Sequence, residues 1–165
     1  MHYSIDLETL DTKPSAIILS IGIVTFNQEG IHNGFELFPS IQEQIDADRT
    51  MSESTLMWWL SQSPEARKTV TEAKRLSLRD TLEVVSHILT EVEGVWGNGS
   101  DFDNVILSSL FAGECLRQPW HFALSRCVRT LRAQHPDRGF DFKGIAHTAL
   151  ADAQHQANIV RSLFW

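Results

Sequence analysis

The chain has 165 residues, 42% of them hydrophobic and 21% charged, a balance that fits one globular domain (1–165) with a proper core. Its formal net charge of −7 argues against a protein that coats duplex nucleic acid with a basic surface. It does not exclude an enzyme that meets phosphate through metal ions, because such an enzyme needs clustered acids that feed the negative sum. No apolar run approaches the roughly 18 residues of a membrane span. Met1 to Asp6 also lacks the basic and apolar regions of a signal peptide, so no membrane partner and a cytoplasmic location are expected. Cys115 and Cys127 are too few for a disulfide framework and lack metal-site spacing.

In chain order, Ser4 to Thr9 reads as the end of an edge-to-core strand. Alternation puts Asp6 and Glu8 on one face and Ile5 and Leu7 on the other. Thr12-Lys13-Pro14-Ser15 is turn chemistry, and Ala16 to Phe26, apolar on both faces, reads as a central strand. Asn27 to Gly30 predicts a hairpin turn into a third strand from about His32 to Leu37. Helices follow. A capping box at Thr50-x-x-Glu53 opens the first, carrying Trp58 and Trp59. Pro64 starts a second, through about Lys74. Ser77-x-x-Asp80 starts a third, with apolar positions from Leu78 to Val92 and an end at Gly94. Val95-Trp96-Gly97 is a short buried strand, turning at Asn98-Gly99-Ser100 into a helix from about Asp101 to Ala112. A short strand near Pro119–Ala123, a helix over Arg126–His135 closed by Pro136, and a long helix over Ala146–Phe164 complete the chain. This order implies a mixed α/β sheet.

Three segments combine acids with special backbone: Asp6 with Glu8, the Asn98 to Asn104 stretch, and His147 to Ala153. Two acids on one strand face repel unless something positive lies between them, and a divalent cation is the natural candidate. Asp101 or Asp103 alone could simply charge a helix N-terminus. Asp152 precedes small apolar residues, and an unpaired carboxylate near a buried face is costly, so a partner or metal is expected there. His147 and Asp152, five apart, are expected on neighbouring faces of one helix. Arg126, Arg129 and Arg132 are expected as a basic stripe on a helix, suited to phosphate or to nearby acids. Trp58 and Trp59 are adjacent, so at most one faces the core, and the other is open to base stacking, core packing or a dimer contact.

Together, Asp6-Leu-Glu-Thr9, Asn98-Gly-Ser-Asp-Phe-Asp103 and His147-x-Ala-x-x-Asp152-Ala153 resemble the three signature motifs of the DEDDh 3′–5′ exonucleases, in the family's order. Trp58-Trp59-Leu60-x-Gln62-Ser63, Val95-Trp96-Gly97-Asn98-Gly99 and Val128-Arg129-Thr130 resemble small phage- and prophage-type exonucleases and related exoribonucleases. The resemblance implies an RNase H-like fold, a five-stranded mixed sheet flanked by helices. It implies two Mg²⁺ or Mn²⁺ ions: Asp6, Glu8 and Asp152 on the first, Asp6 bridging to a second, and Asp103 serving the second directly or through water. It implies His147 as general base, and Leu7, Thr9, Phe102 and Arg129 as substrate-binding positions, although strict alternation places Leu7 on the far face. The expected substrate is a 3′ end of single-stranded DNA or RNA, with DNA slightly preferred. The alternatives are an exoribonuclease trimming RNA 3′ ends and a non-catalytic nucleic-acid-binding module on the same fold. Relatives of this kind are often homodimers, and the tryptophans fit that arrangement.

Overall fold

The computed structural model describes residues 1–142, 144 and 147–165. Five strands form one mixed sheet: β1 (His2–Thr9), β2 (Ile18–Phe26), β3 (Ile31–Leu37), β4 (Gly94–Gly97) and β5 (Ser125–Cys127). Their order is β3-β2-β1-β4-β5, so the strand that carries Asp6 and Glu8 is the middle of the sheet rather than leading in from an edge. β1 pairs antiparallel with β2, placing Asp6 opposite Gly22 and Glu8 opposite Ser20. It pairs parallel with β4 over His2 to Ser4 alone. Beyond Ser4, β1 therefore runs on without β4 beside it, and the sheet opens where the acids stand.

The helices are α1 (Ile41–Asp46), α2 (Glu53–Ser61), α3 (Pro64–Thr71), α4 (Leu78–Ile88), α5 (Asp103–Gly113), α6 (Val128–Ala133) and α7 (Ala149–Leu163). One face of the sheet packs Tyr3, Ile5 and Leu7 against Leu78, Leu82 and Val85 of α4 and Ile106, Leu107 and Leu110 of α5. The other face packs Val24, Phe26 and Trp96 against Ala153, Ala157 and Val160 of α7. The alanines let α7 approach the strands closely, and Asp6 and Glu8 lie on this second face. The chain is thus apolar toward one helical layer and acidic, at the strand ends, toward the other.

Several expected boundaries shift, each for a local reason. α1 lies in a stretch to which the sequence assigned no element: Ser40 Oγ caps it by accepting the Glu43 N–H, and Gln44 inside it bonds the backbone of Ile18. Thr50 does not cap α2, because its N–H is bonded to Ser15 and it bridges Ala16 as extended chain. Ser52 caps instead, accepting the Thr55 N–H. α3 stops at Thr71 and α4 at Ile88, which leaves Val92 outside the helix, and Gly94 starts β4 rather than ending α4. Asp101 lies in the turn before α5, which begins at Asp103. The segment after Trp120 forms a 3-10 turn over Phe122–Leu124 and then β5. Arg126 is consequently on a strand, donating to the Ala123 and Ser125 carbonyls, and shares no helix face with Arg129 and Arg132. Cys127 caps α6, its Sγ accepting the Thr130 N–H. α7 begins at Ala149, and the expected start at Ala146 lies outside the described residues. Among the described residues no helix is long and apolar enough to cross a membrane.

Candidate active site

The site forms at the C-terminal ends of the parallel pair β1 and β4, where the N-termini of α5 and α7 also converge. Crevices at such strand ends are the usual ligand sites of open α/β sheets. The cleft there has a volume of about 560 Å³, and Asp6, Glu8, Asp103, His147 and Asp152 all line it. Leu7, Thr9, Phe102 and Arg129 line it as well.

The carboxylate oxygens of Asp6, Glu8 and Asp152 lie within 4.8 Å of one another. No lysine or arginine forms an ion pair with any of the three among the described residues. Their proton affinities record the conflict. Burial raises the Glu8 pKa from 4.5 to about 8, with the charges of Asp152 and Asp103 adding to it. Asp6 is pushed well above the usual carboxylate range, first by burial and then by Asp103, Glu8 and Asp152, against a hydrogen bond from Gln156. Asp152 is also raised by burial. Three converging hard oxygen donors that resist ionising without a positive partner fit a divalent cation of the Mg²⁺ or Mn²⁺ kind.

Asp103 is held differently. Its Oδ1 accepts the Leu7 N–H at 3.0 Å and its Oδ2 accepts the Asn98 N–H at 2.7 Å. The carboxylate thereby takes the place that a continuing β4 would occupy beside β1. Gly97 permits this approach, since a Cβ there would sit 3.0 Å from the Asp103 side chain. Burial raises Asp103 to about 6, opposed by these amides and by the Arg129 charge. Asp103 stands outside the three-carboxylate cluster, yet is the largest charge perturbing Asp6.

His147 precedes α7 rather than sitting on it. Its φ of 64° is left-handed, uncommon for a residue other than glycine though tolerated better by histidine than by most. Its N–H donates to Asp152 Oδ2 at 3.0 Å, which fixes the turn and ties the histidine to the cluster. This backbone contact replaces the expected relation between neighbouring helix faces. Leu7 borders the cleft although its side chain packs in the core on the α4 side, and its N–H is held there by Asp103. Thr9 donates its hydroxyl to the Asp11 carbonyl and accepts the Trp59 indole N–H at its own carbonyl, so it shapes the cleft floor.

Two neighbours of the acids were not singled out by the sequence. Gln156, one turn beyond Asp152, donates Nε2 to Asp6 Oδ1 at 2.6 Å. The Asp152-x-x-x-Gln156 spacing was the available signal. Glu36 of β3 lies across Gly22 from Asp6, and burial raises its pKa against the opposing influence of the Leu150 backbone at the start of α7. The tryptophan pair separates as adjacent positions on a helix do: Trp59 is buried, while Trp58 is exposed and sets its ring edge-on to His147 at 4.8 Å.

This sheet order, with acids at the C-terminal end of β1 and at the starts of α5 and α7, is the RNase H-like fold shared with the DEDDh exonucleases. A family model described as "3′-5′ exoribonuclease Rv2179c-like domain" matches residues 1–164, and the chain belongs to that family. It is a 3′–5′ exonuclease domain. The nuclease domain of 3′hExo, a DEDDh member solved bound to rAMP, superposes with a TM-score of 0.66 at 14% identity, over 99% of this chain and 90% of that one. Exonuclease X, solved with 5′-overhanging duplex DNA, gives 0.56 at 16% identity, over 100% and 94%. An exonuclease I from Methylocaldum szegediense gives 0.64 at 16% identity, over 97% of this chain and 39% of that one. No curated protein sequence matches.

Proposed function

We propose that the protein removes nucleotides one at a time from the 3′ end of single-stranded RNA, releasing 5′-mononucleotides. The observation that carries this reading is the cluster of Asp6, Glu8 and Asp152 with His147 tied to its edge. The family's description as exoribonuclease supports RNA ahead of the DNA preference expected from sequence. Neighbours solved with rAMP and with a histone mRNA stem-loop point the same way, and the exonuclease X complex with DNA supports the second reading.

Asp6, Glu8 and Asp152 would hold the first divalent ion, and Asp6 with Asp103 the second. Such a pair supplies Lewis acidity to both the entering and the departing oxygen of an in-line displacement. The remaining work belongs to the chain. His147 takes a proton from the attacking water as the water oxygen bonds to phosphorus, and the P–O3′ bond breaks, the leaving oxygen gaining a proton from solvent. The left-handed turn and the Trp58 ring hold the imidazole at the cleft edge. Leu7 and Phe102 offer apolar walls for the terminal base, and Arg129 offers a guanidinium to a phosphate, a match of planar fork to oxyanion.

The test is digestion of 5′-labelled RNA and DNA strands of matched sequence, with Mg²⁺ or Mn²⁺. The expected result is a ladder of shortened products and free mononucleotides, faster on RNA. Unchanged substrate with both metals, or equal cutting of a circular strand, would overturn the activity, and a faster rate on DNA would reverse the substrate preference.

A further inference from the structure

Arg129 lies at the lip of the cleft and also lines a second, shallower depression with Arg132, His135 and Arg138. Arg138 in turn lines a third, of about 610 Å³, that reaches Gln154, His155 and Asn158 on the outer side of α7. The three hollows are joined by shared arginines, so one furrow leads from the catalytic acids across α6 and along α7. All three arginines are exposed, and none forms an ion pair among the described residues. In a chain with seven excess negative charges, such a group is conspicuous on charge alone. Arg138 is braced by donating to the Ser162 carbonyl and hydroxyl. Burial and then the charge of Arg132 lower the pKa of His155, whose ring meets the exposed Phe142 ring at 5.1 Å. One carboxylate, Asp141, also borders the furrow.

We propose that this furrow holds the sugar-phosphate backbone of the strand upstream of the nucleotide being removed, with Arg129, Arg132 and Arg138 on successive phosphates and the His155 ring, backed by Phe142, beside a base. The assignment rests on the reading that a 3′ end enters the cleft, since the strand behind that end must then leave past Arg129. Guanidinium forks suit phosphate in particular, and a basic groove with an aromatic face is the usual form of a sequence-tolerant single-strand site. Arg129 and Arg132, at i and i+3, are neighbours on one face of α6. The furrow explains how an acidic protein grips a polyanion: its acids meet phosphate through metal, and its unpaired arginines meet the rest.

The test compares the parent with the double variant Arg132→Glu, Arg138→Glu. Binding of a fluorescent twelve-nucleotide RNA is followed by anisotropy in Ca²⁺ without turnover, and KM is measured for strands of two to twelve nucleotides. The expected result is at least tenfold weaker binding of the twelve-mer and a KM that no longer falls with length. The slope of log affinity against log salt should also shrink by about 1.4, at about 0.7 per phosphate contact. Arg132→Gln, Arg138→Gln, checked by thermal melting, should give a smaller loss in the same direction. Unchanged twelve-mer affinity, or an equal loss on twelve-mer and dinucleotide, overturns the furrow. An equal loss on a polyglutamate of the same charge overturns its assignment to nucleic acid. If the parent binds with this salt dependence and cuts nothing, the furrow stands and the exonuclease reading falls. If the variant keeps the parent's length-dependent KM, the reverse holds.

Discussion

Asp6 carries the heaviest electrostatic load of the acids: burial and three neighbouring carboxylates raise its proton affinity, and Gln156 Nε2 opposes them. Gln156→Leu therefore removes a donor that keeps Asp6 ionised and aimed. Loss of such an outer-layer partner typically costs about 10–100-fold in metal affinity or activity. The expected result is a fall of that size in kcat and in Mn²⁺ affinity, with the melting temperature little changed. An unaltered kcat would remove Gln156 from the positioning machinery. Asp6→Asn and Glu8→Gln should then separate by titration calorimetry: the first loses both ions, and the second retains weak binding of one. Trp58 makes a different contribution. Its edge-on contact with His147 is worth about 0.5–1.5 kcal/mol in typical aromatic pairs. Trp58→Ala should lower kcat by up to about tenfold, with Trp58→Phe recovering most of it. A loss confined to KM would assign Trp58 to the base rather than to the histidine.

The position of α7 decides whether these side chains meet at all, and Gly22 sets it. A Cβ on Gly22 would overlap the Ala149 carbonyl oxygen, a backbone atom with no rotamer to move. Gly22→Ala should cost at least about 3 kcal/mol, above the range for ordinary overpacking, because helix and strand must part. It should also abolish activity in whatever fraction remains folded, since Asp152 rides on α7 and Asp6 lies opposite Gly22. Near-parent activity in a folded variant would mean that the acids do not depend on this contact. Such through-space constraints mark where the sequence stops being readable. Alternation in β1, the apolar run of β2 and the capping of α4 by Ser77 are set by local chemistry, and they are legible. The acids and His147 were legible as motifs. The Ser52 cap depends on Thr50 being drawn into a bridge with Ala16, and β5 depends on pairing with β4 thirty residues earlier. The left-handed turn at His147 depends on Asp152, and the meeting of Gln156 with Asp6 spans 150 positions. Apart from the Asp152-x-x-x-Gln156 spacing, none of these has a local signature.

For the whole molecule, the acid cluster makes stability and metal binding two readings of one equilibrium. Glu8 titrates at about 8 in the fold against an ordinary 4.5, Asp103 at about 6 against 3.8, and Asp6 and Asp152 are also raised. An acid whose pKa is raised by folding binds more protons in the folded state than in the unfolded one. Its contribution is complete below the unfolded value and is lost as pH rises through the folded value. The metal-free protein should thus lose stability from about pH 5 to above pH 8. His2 and His155, whose pKa values burial lowers, act in the opposite sense at and below about pH 6.5, so the raw profile mixes both effects. Comparison with Glu8→Gln isolates the cluster: the variant should gain on the parent progressively between pH 5 and 8.5. Mn²⁺ competes with protons for the same oxygens, so its stabilisation of the parent should be small at pH 5.5 and large at pH 8. Thermal melts across that range, with and without Mn²⁺, measure both. A parent–variant difference that stays flat with pH, or a metal increment independent of pH, would show that the cluster is not the ion's site and that its acids are not the source of the strain.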